Sequence, residues 1–241
     1  MNYIAAAISE EGNRKTVNQD ALMIKSRMTG LGNVCMAVIC DGMGGLTEGE
    51  VASAHVIKRL SDWFLLQAGT MKRFDKMIFY LERELHHISR EILEYGRNSG
   101  FAVGTTTTIF LTTGKQFCIL HVGDTRVYRV TKKYGVRVSQ LTHDHSVNDY
   151  MLTQSLGAVE EIIPDIIRGR MQKNELFLLC TDGFRHKNSP ADLKRGLNPE
   201  EIKNADDLEK KLRIYVDRAR GLGENDDISV LAVMAETEGL R

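Results

Sequence analysis

The chain has no excess charge of either sign: 32 Lys and Arg stand against 32 Asp and Glu among 241 residues. Proteins whose main task is to grip nucleic acid or an anionic membrane need a basic surplus, so neither is expected as a partner. Cysteine is scarce. Cys35, Cys40, Cys118 and Cys180 form no C-x-x-C pair, and each sits in an apolar, strand-like run. They read as small buried hydrophobes in a reducing compartment, not as disulfides or zinc ligands. No stretch approaches the ~20 apolar residues of a membrane helix. The first ten residues carry no basic segment and too short an apolar run for a signal sequence, so a cytoplasmic location is expected. Two nucleotide signatures are missing as well. After Gly42-Met43-Gly44 the third glycine of G-x-G-x-x-G falls on Thr47, and no G-x-x-x-x-G-K-[ST] occurs.

What is present has the composition of a soluble globular chain, 42% hydrophobic and 27% charged. One domain over residues 1–241 is the simplest organisation. Strand-like runs rich in Val, Ile, Thr and Phe cover Tyr3–Ser9, Ala21–Lys25, Val34–Cys40, Thr106–Thr112, Phe117–Val122, Arg126–Thr131, Arg137–Leu141, Glu175–Cys180 and Ile228–Ala235. Thr113-Gly114-Lys115 reads as a hairpin turn. Apolar residues at spacings of three and four predict helices over Val51–Gln67, Phe74–Tyr95 and Ala205–Ala219. Helices and strands do not alternate one for one, which argues against a doubly wound parallel sheet. Mostly antiparallel sheet covered by helices fits better.

The informative pattern is where the aspartates fall. Val34–Cys40 runs into Asp41-Gly42, Leu176–Thr181 into Asp182-Gly183 and Ile119–Gly123 into Asp124, while Asp226-Asp227 precedes Ile228–Leu231. Any one of these reads more readily as a turn. Four in one chain can gather hard oxygen donors at one end of a sheet, a set that suits Mg²⁺, Mn²⁺ or Ca²⁺ rather than zinc. Gly44, Gly45, Glu48 and Gly49 suit a tight turn close to something bound.

The ordered motifs resemble a family. Gly12-Asn13-Arg14-Lys15-Thr16-Val17-Asn18-Gln19-Asp20 is similar to G-x-x-R-x-x-N-x-D, and Asp41–Ser53 to D-G-M-G-G-x-x-x-G-E-x-A-S. Gly104-Thr105-Thr106, His121–Tyr128, Leu141–Ser146, Ser155-Leu156-Gly157, Leu179–Gly183 and Asp226–Val230 follow in order. Together they resemble the short bacterial form of the PP2C-type (PPM) metal-dependent Ser/Thr protein phosphatases. The resemblance implies an α+β fold, a four-layer α/β/β/α sandwich of two mostly antiparallel sheets. It also implies a binuclear Mn²⁺ or Mg²⁺ centre whose bridging hydroxide hydrolyses phosphoserine and phosphothreonine in proteins. By that resemblance Asp41 bridges both metals, the Gly42 carbonyl ligates one, and Asp182 and Asp226 complete the other. Asp20 holds the site directly or through a metal-bound water, and Asp124 matches the acid for a third, weaker ion. The implied partners are phosphorylated proteins and a cognate Ser/Thr kinase, with the enzyme acting as a monomer.

The chain departs from the family pattern in several places. Lys15 stands at the phosphate-binding Arg position, with Arg14 beside it; Lys supplies charge but no bidentate fork. Register favours Lys15. Met43 replaces a histidine that eukaryotic members carry, and His143 and His145 are candidates by chemistry only. Only nine residues, Val147–Ser155, separate Ser146 from Leu156, so the usual flap subdomain is expected to be largely absent. Asp226 aligns with the metal ligand and Asp227 replaces Asn, which leaves the two adjacent acids in competition. A phosphoprotein- or kinase-binding pseudophosphatase and a small-molecule phosphoesterase are the alternative readings.

Overall fold

The computed structural model describes residues 1–44, 48–148 and 151–236. In chain order the elements are β1 (Tyr3–Glu10), β2 (Asp20–Thr29), β3 (Gly32–Gly44), α1 (Gly49–Gln67), α2 (Phe74–Ser99) and β4 (Val103–Thr105). Then come β5 (Thr107–Thr113), β6 (Gln116–Val122), β7 (Arg126–Lys132), β8 (Val136–Gln140), β9 (Ser146–Asn148) and β10 (Met151–Leu152). The last part holds β11 (Asp165–Arg170), β12 (Glu175–Cys180), α3 (Asp182–Arg185), α4 (Pro190–Gly196), α5 (Ala205–Gly221) and β13 (Ile228–Ala235).

Two antiparallel sheets result. One runs β1-β13-β12-β7-β8 and the other β11-β6-β5-β3-β2, with β4 also pairing β3. The period-2 alternation of strand side chains assigns the layers. In β3, Cys35, Ala37 and Ile39 enter the core shared with Phe177, Leu179, Leu231 and Val233 of the other sheet. Val34, Met36, Val38 and Cys40 point the other way, against α1 and α2 residues such as Val56, Leu60, Leu81 and Leu85. On the opposite flank Leu176, Leu178, Val230 and Ala232 pack under Leu193, Leu208, Leu212 and Val216 of α4 and α5. The four-layer α/β/β/α order is therefore present. A strand covered on both faces must be apolar at every position, so these runs look unbroken in sequence.

Most elements fall where the patterns place them. The hairpin pairs Thr113 with Gln116, and Gly114 takes the positive φ (54°) that its turn requires. The differences lie at edges and in short elements, β4, β9, β10, α3 and α4, that no pattern announced. β11 has no apolar signature because it is an edge strand, half exposed and bearing Arg168 and Arg170, which also discourage edge-to-edge association. α2 runs on to Ser99, past the last apolar residue of its stripe. Between Ser146 and Leu156 the described residues form only the β9–β10 pair, and Leu156 bridges to Thr105, so no flap subdomain stands there. All four cysteines are free and buried, and burial pushes their thiols up to about 12. No described helix is long and apolar enough to cross a membrane.

The sheets are joined by an aromatic cluster. Phe177 lies 4.6 Å from Phe110 and 4.7 Å from Phe117, ring centre to ring centre, and is fully buried. Phe177→Ala should cost about 3–5 kcal/mol of unfolding free energy in urea titrations, and Phe177→Leu clearly less. Equal losses would show that the ring's volume is not what holds the layers together.

Candidate active site

The second sheet delivers two acids side by side. Asp20 opens β2 and pairs across the ladder with Asp41 near the end of β3. The Asp41 backbone is clamped on both sides: its N–H donates to Thr106 Oγ1 (3.0 Å), and its carbonyl accepts from Thr106 N–H (2.9 Å) and Thr105 Oγ1 (3.0 Å). Gly42 follows because nothing larger fits. A Cβ there would meet the Gly49 carbonyl oxygen at 2.2 Å and that of Gln19 at 2.5 Å. The glycines of this motif thus press the start of α1 onto the strand end. Gly45, Leu46 and Thr47 of the same stretch lie outside the described residues.

The first sheet supplies the rest. Asp182 begins α3 straight after β12, and Thr181 ties it to its neighbours, donating from Oγ1 to Asp20 Oδ2 (3.0 Å). Gly183 is again a close approach, since a Cβ would sit 2.2 Å from the Asp227 carbonyl oxygen. The competing pair Asp226 and Asp227 is separated by hydrogen bonding. Asp227 is 2% exposed and spends both oxygens on backbone N–H groups, those of Gly12 (3.1 Å) and Gln19 (2.9 Å). Asp226 instead lines the pocket, 3.0 Å from Lys15 Nζ. Glu224 holds it there by accepting from the N–H groups of Asn225 (2.9 Å) and Asp226 (3.1 Å).

Lys15, Asp41, Gly42, Met43, Asp124, Asp182 and Asp226 line one pocket of about 860 Å³, together with Leu93, Phe101, Val103 and Leu152. Asp20 lies behind them and does not line it. Arg14 is exposed, while Lys15 is half-buried and also donates to Gln19 Oε1 (3.1 Å). No histidine is among the described lining residues. His145 serves the backbone: Gly123 N–H donates to its Nδ1 (3.3 Å), and its own N–H donates to the Gly123 carbonyl (2.7 Å). That grip, a positive φ of 113° at Gly123 and contact with Thr106 fix the loop that presents Asp124. Asp144 is spent on Arg126, which donates to both carboxylate oxygens.

Crowding of like charge dominates the electrostatics. Burial, then Asp20, Asp182, Asp124 and Asp226, push the Asp41 carboxyl well above the usual range. Burial, Asp227 and Asp182 push Asp20 up to about 8. Burial, Asp226 and Asp124 push Asp182 up to about 6. Burial opposes the Lys15 charge, but Asp226, Asp227 and Asp41 outweigh it and raise the ammonium. Among the described residues no three His, Cys, Asp or Glu side chains close on a single point as a finished metal cage. The donors nevertheless fit divalent cations of the hard kind. They are carboxylates that repel one another, and Asp182 Oδ1 is buried with no hydrogen-bond partner among the described residues.

Sequence reasoning overlooked Arg185, whose Nη2 lies 3.0 Å from Asp124 Oδ2 with both side chains almost buried. The available signal was its place three residues after Asp182, one helical turn on, where a side chain returns to the same face. The fixing roles of Thr105, Thr106 and Thr181 were also unseen, because each bond crosses between distant segments.

A family model described as Protein phosphatase 2C matches residues 10–226. Protein phosphatase PhpP of Streptococcus pneumoniae serotype 2 (strain D39) is 27% identical, covering 96% of this chain and 97% of its own length. The crystal structure of a bacterial serine phosphatase bearing an R161E mutation superposes with a TM-score of 0.82 at 25% identity, over 98% of this chain and all of the other. The catalytic domain of the serine threonine protein phosphatase PstP, in complex with two manganese ions, shares the fold with a TM-score of 0.80 at 20% identity, over 98% of this chain and 99% of the other.

The Asp124 loop carries a pH dependence of its own. His121 is fully buried, with Nδ1 2.8 Å from Thr108 Oγ1 and Nε2 3.0 Å from the His143 carbonyl. Burial, with His145 nearby, lowers it to about 4 from the ordinary 6.5. The unfolded chain therefore binds the proton first as pH falls. Stability from this group is complete above pH 6.5 and is lost between there and about 4. At roughly 1.4 kcal/mol per unit the loss is about 3 kcal/mol. Urea unfolding at stepped pH should show this fall in the native protein and its absence in His121→Asn. Parallel profiles would contradict the assignment.

Proposed function

Because the chain belongs to the protein phosphatase 2C family, we propose that it hydrolyses phosphoserine and phosphothreonine in proteins at this acidic pocket. Two divalent cations, Mn²⁺ or Mg²⁺, are assigned to Asp41, the Gly42 carbonyl, Asp182 and Asp226, with Asp20 supporting from behind. The observation that carries this reading is the convergence of Asp41, Asp182 and Asp226 on one pocket, with a buried Asp182 oxygen left unpartnered. Such ions, when bound, activate water for in-line attack on phosphorus and draw charge from the phosphoryl oxygens.

The chain's own residues do the positioning. Asp41 is the central donor, and Thr105 and Thr106 clamp the backbone that carries it. The Asp20–Thr181 bond joins the two sheets under the centre. Lys15 is assigned to the phosphoryl group, because it is a cation on the pocket wall and keeps about a third of its side chain exposed. With no flap between Ser146 and Leu156, the pocket is open to a protein surface. The substrates are read as products of a Ser/Thr kinase in the same, cytoplasmic, compartment, and the enzyme as a monomer.

Chelator-stripped protein should hydrolyse a phosphothreonine peptide only after Mn²⁺ or Mg²⁺ is restored. Asp41→Asn should lower turnover at least on the order of 100-fold. Unchanged turnover would sink the assignment, and no turnover by folded, metal-loaded native protein would favour a binding role. Faster turnover of sugar phosphates than of the peptide would favour a small-molecule phosphoesterase.

Lys15→Ala should reduce kcat/KM by about 10–100-fold, as expected for one lost charge-assisted hydrogen bond. Lys15→Arg should recover most of that loss. If Arg14→Ala has the larger effect, the phosphate role belongs to Arg14.

A further inference from the structure

We infer that Arg185 is a built-in cation that takes the place of a third divalent ion at Asp124, so that this centre holds two ions and not three. The inference rests on the two-ion reading given above. Asp124 lines the same pocket as Asp182 and adds to its crowding, so a positive charge is needed between the two. The structure already has one. Arg185 Nη2 lies 3.0 Å from Asp124 Oδ2, and the two side chains are 9% and 10% exposed.

Neither partner is free to move aside. Asp124 is presented by a loop that Gly123, Thr106 and His145 hold rigidly. Arg185 follows Asp182 by one turn of α3, so its position is tied to that of a proposed metal ligand. Its guanidinium cannot shed its proton. Its Nε is also buried without a hydrogen-bond partner among the described residues. Asp124 is the acid that claims this charge. An ion at Asp124 would face a fixed positive charge in a poorly screened environment, so the ion and the guanidinium exclude each other.

The test counts manganese directly. Native protein, Arg185→Ser, Arg185→Gln and Arg185→Ser/Asp124→Asn are dialysed to equilibrium against Mn²⁺ and analysed for bound metal per chain. Melting temperatures are recorded in chelator and in Mn²⁺. The expected counts are two for native protein, three for either single variant and two again for the double variant. In chelator the single variants should melt below native protein, because Asp124 is left buried and uncompensated. Mn²⁺ should then raise their melting temperatures more than it raises that of native protein. Arg185→Gln keeps most of the side chain's bulk, so the count survives if the serine variant folds poorly. Three ions in native protein, falling to two in the double variant, would overturn the inference alone. No gain in either single variant would overturn it as well. No bound manganese in any of the four would overturn the two-ion reading, and this inference with it.

Discussion

Mutual repulsion of crowded carboxylates is the constraint around which this molecule is organised. Asp20, Asp41, Asp182 and Asp226 would separate if they could, and Asp41 registers the cost as a strong rise in its proton affinity. They are kept together because each is fastened through its backbone to a strand end or to a strand-following turn. The fasteners are specific: Thr106 on Asp41, Thr181 linking Asp20 to the other sheet, Glu224 under Asp226. The fold spends hydrogen bonds to hold like charges close, and that arrangement is stable only where positive charge arrives. Lys15 and Arg185 bring part of it, and the remainder is the case for cations.

The sandwich is what makes such fastening affordable. Burial of β3, β12 and β13 on both faces fixes the strand ends, and the Phe110–Phe117–Phe177 cluster locks one sheet over the other. Asp41 comes from one sheet and Asp182 from the other, so the geometry of the pocket depends on how the layers are seated. A change in the inter-sheet core would be felt at the acids. Among the described residues no flap subdomain stands between Ser146 and Leu156, and Leu152 and Phe101 lie on the pocket wall.

Legibility in the sequence followed burial and locality. Runs such as Val34–Cys40 and Ile228–Ala235 were plain because doubly covered strands must be apolar throughout. β11 was not, since an edge strand with Arg168 and Arg170 looks like a loop. The acids at strand ends were visible one by one, and the ordered motifs indicated that they belong together; the structure does bring Asp41, Asp124, Asp182 and Asp226 to one pocket. Alignment pointed to Asp226 over Asp227 only by register; what separates them physically is a pair of backbone donors, Gly12 and Gln19, more than two hundred residues away. Arg185 escaped notice for the same reason. Its partner Asp124 lies 61 positions away, and only the folded chain places them in contact.

The central claim is that these carboxylates form one cation-binding centre shared between the two sheets. Diffraction from manganese-grown crystals, recorded on both sides of the manganese absorption edge, tests it most directly. The account predicts two anomalous peaks in the pocket, both within coordination distance of Asp41, with Asp182 and Asp226 on one of them. Manganese bound elsewhere, or peaks that Asp41 does not touch, would contradict it.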